Sequence, residues 1–218
     1  MSTVNRQEIG YPSRPTGGGE LPGSFELLQS ETATPKLNGN RVLMSHEGVC
    51  YNRKMERYSR IDAEDALMLH QALNYPNDRS DFARASQVQW WDLEYMPTGK
   101  NKGCAVVIDV ITGDNRNYHE RQRLYSHLRI ASHVWTEDLC LDWRGYECKY
   151  YRFPVYYGTW IARKAYEYMK QRYDQYVLQD RQNDFLWEGL VIQDTTVPYE
   201  LTAKQSMNKH IQTKYRFN

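Results

Sequence analysis

Six histidines stand at His46, His70, His119, His127, His133 and His210, and two of them, His127 and His133, invite a metal-ion or two-histidine phosphoesterase chemistry. Carboxylates at Asp109, Asp114, Glu137, Asp138 and Asp142 are near enough in sequence to complete a divalent-ion site. The spacing does not require it. Residues six apart share a face only if one strand runs through both, and Ile130-Ala131-Ser132 reads as the turn between them. Asp109 and Asp142 fall on the solvent side of half-buried strands. Gly17-Gly18-Gly19 has no strand before it and no Lys-Ser/Thr after it, so it is no phosphate loop. Neither a Gly-x-Ser-x-Gly elbow nor a His-Glu-x-x-His helix occurs. On these grounds the sequence predicts no catalytic residue, no cofactor and no metal.

A second constellation is basic. Arg116, Arg121, Arg123 and Arg129 surround Tyr118 and Tyr125, and arginine suits both carboxylates of a neighbouring subunit and phosphates of nucleic acid. A subunit contact and a solvated face rank equally, with DNA contact third. The formal net charge of +1 gives no basic excess to clamp a phosphate backbone. Cys50, Cys104, Cys140 and Cys148 contain no Cys-x-x-Cys pair and read as free thiols in a reducing compartment. Residues 1–25 lack the apolar core of a secretory leader, and no run approaches the roughly 20 apolar residues of a membrane span, so no membrane is expected. Eighteen tyrosines and six tryptophans against a mean hydropathy of -0.81 favour half-buried surfaces such as subunit contacts.

The elements that must carry these residues divide at about residue 60. Residues 1–60 read as an extended arm with irregular or short-strand segments: Gly and Pro dominate 1–25, Asn38-Gly39 is a turn, and Val42, Met44, Val49 and Tyr51 are strand fragments. Residues 61–218 read as one α+β domain. Its helices are expected at 62–74 (N-cap Asp62), 80–95, 155–176 and 180–192, with a weaker one from Pro198 to Ile211. Strands are expected at 104–111, 123–126, 132–135 and 139–143. Tyr157, Ile161, Ala165, Tyr168 and Met169 form an apolar stripe on the third helix, opposite the pairs Arg163/Glu167 and Lys170/Asp174. The fold class predicted is a helical bundle with a small antiparallel sheet or hairpin region and an extended N-terminal arm.

Within residues 121–172 the chain carries Arg121-Gln-Arg-Leu124-Tyr125, then Val134-Trp135, then Leu139-Cys-Leu-Asp-Trp143, then Phe153-Pro154, then Trp160-Ile161-Ala-Arg-Lys-Ala165. In order and spacing this series resembles the tail tubular protein A family of T7-like podophages. The resemblance implies a non-enzymatic head-to-tail adaptor made in the host cytoplasm and built into the virion tail. It implies a homo-oligomeric ring of about twelve copies closed by a repeated heterologous interface. The ring would sit between portal protein and tail nozzle protein, with genome DNA in transit through its centre. Candidate interface residues are then Arg121, Arg123, Tyr125, Trp135, Trp143, Tyr157, Trp160 and Tyr168, and candidate DNA-channel contacts Arg116, Arg121 and Arg129. The alternative expectation is a small viral nucleic-acid-binding or host-interaction protein.

Overall fold

The computed structural model describes residues 11–12, 15–74, 86–99, 102–103, 105–114, 116–125, 156–197, 201–202 and 212–217. In chain order its elements are β1 (Tyr11–Pro12), β2 (Thr16–Gly17), β3 (Glu31–Leu37), β4 (Asn40–Ser45), β5 (Cys50–Tyr51), α1 (Ala63–Asn74), β6 (Trp90–Tyr95) and β7 (Ala105–Ile111). There follow α2 (Tyr118–Tyr125), α3 (Thr159–Leu178), a 3-10 turn (Gln182–Asp184), β8 (Trp187–Asp194), β9 (Leu201–Thr202) and β10 (Gln212–Arg216). The strands form a sheet ordered β2-β10-β8-β3, a second ordered β5-β4-β6-β7, and a β1-β9 pair. Neighbours run antiparallel except β2 beside β10. Two four-stranded sheets replace the predicted helical bundle, and among the described residues only three α-helices accompany them.

Each sheet has its own core. Val42 and Met44 of β4, Trp91, Leu93 and Tyr95 of β6, and Ala105 and Val107 of β7 pack against Leu69 and Leu73 of α1. Asp62 caps that helix, its Oδ1 accepting from Asp65 N at 2.8 Å. On the first sheet, Ala33, Leu37, Leu190 and Ile192 pack against Ala162, Tyr166 and Met169 of α3. Fully burying a side chain such as Leu69 or Leu190, both 0% exposed, contributes about 2 kcal/mol.

The other departures from the sequence reading have identifiable causes. Residues 80–85 of the helix expected over 80–95 lie outside the described residues, and at its far end β6 alternates instead: Trp91, Leu93 and Tyr95 enter the core while Asp92 and Glu94 point to the opposite face. Two carboxylates on an interior face hide a period of 2, and the three-residue step from Val88 to Trp91 mimics a helix. In place of a helix over 180–192, β8 runs beside β10. Gly189 there (φ +149°) allows a backbone approach so close that a Cβ would lie 1.8 Å from Tyr215 O. In place of a strand over 123–126, α2 begins at a reciprocal cap, Asn117 Oδ1 accepting from Glu120 N (3.1 Å) and Glu120 Oε2 from Asn117 N (2.8 Å). The predicted strands 132–135 and 139–143 lie outside the described residues, and of Pro198–Ile211 only β9 is described.

Residues 15–60 are not an arm. β3 and β4 belong to different sheets, and the Asn38-Gly39 turn carries the chain between them. Residues 21–27 are fastened to α3: Arg163 Nη2 donates to Gly23 O (2.9 Å) and Phe25 O (3.0 Å), and Thr159 Oγ1 accepts from Leu27 N (2.9 Å). Arg163 is thus spent on carbonyls, and Lys164 is the residue that meets Glu167, at 3.3 Å. Of the expected stripe Met169 is buried and Ala165 packs against the core, while Ala162 and Tyr166 complete the buried face in place of the other three. Tyr157, Ile161 and Tyr168 are about half exposed.

Candidate functional site

Both sheets line a cavity of about 650 Å³, within the range of small-molecule sites. Side chains alternate along a strand, so Thr34 and Lys36 face the cavity from β3 while Ala33 and Leu37 go to the core. Pro35 costs no ladder bond because β3 is the edge of its sheet. Pairing across β3, β8 and β10 arranges the floor in three rungs. At one end the partners are Thr32, Gln193 and Gln212; in the middle, Thr34, Val191 and Lys214; at the other end, Lys36, Gly189 and Arg216. The register shift next to Lys36 and Leu37 sets Glu188 beside the lysine. The opposite wall brings Arg41, Glu94, Ile108 and Tyr118.

Lys36 Nζ is ion-paired with Glu188 Oε1, and its side chain is only 16% exposed. Arg216 Nη2 reaches the same Glu188 oxygen at 3.3 Å. Across the cavity, Arg41 is held by Asp92, Nε to Oδ1 at 2.8 Å. Asp92 is directly opposite Asp109 on β7, and Asp109 accepts from Arg121 Nε (3.1 Å) and Nη2 (2.9 Å). Arg41, Asp92, Asp109 and Arg121 therefore form a row in which two facing carboxylates lie between two guanidiniums, balanced overall, and it fixes Arg41 at the cavity wall. Burial drives the Asp92 carboxyl up to about 6, against the pull of Arg41. Burial likewise drives Glu94 up to about 7, with Lys36 and Arg41 pulling down and Asp92 and Glu188 pushing up. The cavity thus concentrates one partly buried amine, several fixed cations and carboxylates that are costly to ionise, a combination typical of sites that do chemistry.

The residues singled out from the sequence are scattered. Arg121 is 1% exposed and belongs to the buried row. Arg123 is exposed on α2, and Tyr125 closes that helix. Arg116 bonds Asp114 (2.8 Å) and Gln87 (2.9 Å). Tyr157, Trp160 and Tyr168 lie exposed at and along α3, away from the cavity lining. Arg129, His127, His133, Trp135, Trp143, Glu137, Asp138 and Asp142 lie outside the described residues. Among the described residues no His, Cys, Asp or Glu group could hold a metal ion by itself, and no helix is long and apolar enough to cross a membrane. Cys50 is a buried free thiol whose pKa burial pushes up to about 12.

Lys36, Arg41, Glu94, Glu188, Lys214 and Arg216 went unread in the sequence. A signal for them existed: single charges inside otherwise apolar strands, Trp-Trp-Asp-Leu-Glu-Tyr over 90–95 and Leu-Trp-Glu-Gly-Leu-Val-Ile over 186–192. A charge on the inward face of a strand is expensive unless it is used.

No protein-family model matches the chain, and no curated protein sequence does. Solved structures do. The chain is similar to the Chlorella virus DNA ligase-adenylate with a TM-score of 0.51 and 16% identity, over 94% of this chain and 69% of that one. It also matches an archaeal ATP-dependent RNA ligase, form 2 (TM-score 0.47, 14% identity, 94% and 48% covered), and a Lig E DNA ligase (0.45, 10%, 92% and 69%). The chain spans about half the length of that RNA ligase. The first likeness overturns the tail tubular protein A assignment, and with it the non-enzymatic head-to-tail adaptor, the ring of copies, and the portal, nozzle and DNA-in-transit partners. It also removes the ground for calling the chain a non-enzyme, and it lends nothing to the alternative of a small binding protein. The fold is similar to that of this DNA ligase-adenylate, with the cavity between the two sheets.

Proposed function

We propose that this chain is a nucleotidyltransferase that takes the adenylyl group of ATP onto Lys36 Nζ and passes it to a nucleic-acid end to be joined. The observation that carries the proposal is Lys36 itself. It is an amine in a largely buried setting, paired with a carboxylate, in a cavity whose walls supply Arg41, Lys214 and Arg216. Lysine amines serve as covalent nucleophiles when a protein positions and deprotonates them.

Chemically, Lys36 Nζ forms a bond to the α-phosphorus, the bond from that phosphorus to the bridging oxygen breaks, and pyrophosphate leaves. The ammonium must first lose a proton, and Glu188 is the group placed to take it. Arg41, Lys214 and Arg216 offset phosphate charge as it shifts toward the leaving group. Arg41 is held for that task by the buried Asp92 beneath it. Ile108 from one sheet and Val191 from the other offer apolar surface to the base. Glu94 and Glu188 fit a magnesium ion carried in on the phosphates, since magnesium needs only one or two carboxylates besides phosphate and water. Burial is the chief cause of the upward shift of Glu94, with Asp92 and Glu188 adding to it, and such a cation would lower the cost of ionising it. When bound, magnesium draws charge off the phosphoryl oxygens. Transfer onward to a nucleic-acid end is supported by the likeness of fold to a DNA ligase-adenylate.

Incubation with ATP and magnesium should add one AMP to the intact protein, and peptide mapping should locate it on Lys36. Lys36→Ala should abolish the adduct while melting within a few degrees of wild type. An adduct that persists in Lys36→Ala, or none on the wild type at any ATP concentration tried, sinks the proposal.

A further inference from the structure

The end of the cavity floor farthest from Lys36 is built of amides, and the geometry points to Gln193 as the residue that reads the nucleotide's base and selects adenine over guanine. The inference rests on the cavity's being a nucleotide site. Gln193 is 5% exposed and Gln212, its neighbour across the strands, 8%. Gln212 Nε2 donates to Gln193 Oε1 at 3.3 Å. Gln193 Nε2 is left with no hydrogen-bond partner, and among the described cavity-lining residues it is the only one with such a buried orphan. An unpaired buried amide donor is destabilising in the empty protein, which is the condition a ligand acceptor removes.

Position and polarity agree on which acceptor. Lys36 is paired in register with Gly189, and Gln193 is four residues farther along β8, a separation of about 13 Å at strand rise. That span is comparable to an extended nucleoside monophosphate, so with phosphorus at Lys36 the base edge reaches Gln193. Adenine presents a bare N1 acceptor at that edge, whereas N1 of guanine carries a hydrogen and would set donor against donor. Turning the Gln193 amide alone to suit guanine would place Nε2 against Gln212 Nε2, so the Gln212 bond as it stands matches the orientation that favours adenine.

The test measures binding apart from transfer, by calorimetric titration of ATP and GTP into Lys36→Ala protein, which cannot be labelled. ATP should bind at least about tenfold tighter than GTP, because a buried donor left facing the wrong group is penalised. Gln193→Leu in the same background should weaken ATP about tenfold and erase the preference. Gln193→Glu is isosteric, still accepts from Gln212, and serves if the leucine variant melts early; it should weaken ATP at least as much. A GTP preference in the parent, or an ATP to GTP ratio unchanged in both variants, overturns the inference. Labelling of wild-type Lys36 with base preference blind to Gln193 removes this inference and leaves the proposed function standing. Preference that follows Gln193 without labelling of Lys36 upholds the base contact and removes the transfer.

Discussion

Arg121 was legible as an arginine worth naming, but not as what it is, a fully enclosed guanidinium on Asp109. Nothing in a local window announces that a residue on α2 will meet one on β7. Removing the carboxylate leaves a buried charge uncompensated, so Asp109→Asn should cost about 3 to 5 kcal/mol, measured as a fall in the urea midpoint at unchanged slope. Glu94 carries the pH dependence. Its folded pKa of about 7 lies above the ordinary 4.5, so the folded protein binds this proton more tightly than the open chain does. Its contribution is fully present below pH 4.5 and is lost as pH rises through 7. Glu94→Gln removes that dependence, so relative to wild type its Tm should climb between pH 5 and pH 8, by about 3 °C for each kcal/mol regained. A difference that stays flat across that window means the carboxyl is not held back by burial.

At the scale of elements, the sequence was readable where one face was apolar and the caps were local. Asp62 announced α1, and the β-branched run into Ile111 announced β7. The Asn117-x-x-Glu120 box was equally local, yet it went unread and residues 123–126 were expected as a strand. β6 and β8 were hidden because their inner faces carry the site's charges, so functional residues removed the very alternation by which strands are recognised. Gly189 lies at the centre of this. Gly189→Ala would push β10 off β8, and we expect a loss of about 3 kcal/mol or more in chemical denaturation. Gly19→Ala, in open space, should melt like wild type. Equal behaviour of the two variants would show that the close approach of β8 and β10 has no energetic weight.

For the whole molecule, two sheets with separate cores share one cavity, so a ligand that touches both walls should stabilise them together. On the proposed function, ATP at 100 times its Kd should add about 2.7 kcal/mol to the global unfolding free energy. The rise in Tm should appear in a single cooperative transition. A transition that splits in two, with only one half shifted by ATP, argues that the nucleotide engages one sheet alone. This long-range plan is what no window of sequence contains: the rungs of the cavity floor join residues from the thirties, the late eighties of the second hundred and beyond 210. The Lys36 to Glu188 pair spans 152 residues, and Arg216, which shares that carboxylate, is made later still. On the ribosome, then, the lysine leaves the exit tunnel long before its carboxylate does, and β3 has no β8 to pair with until the 152 residues that separate the pair have been made. The cavity cannot be completed before β10 is made, so slowing translation near β3 should matter little to assembly. Anything that releases the chain before β10 is made yields two sheets, one of them unfinished, around a site that cannot hold charge in balance.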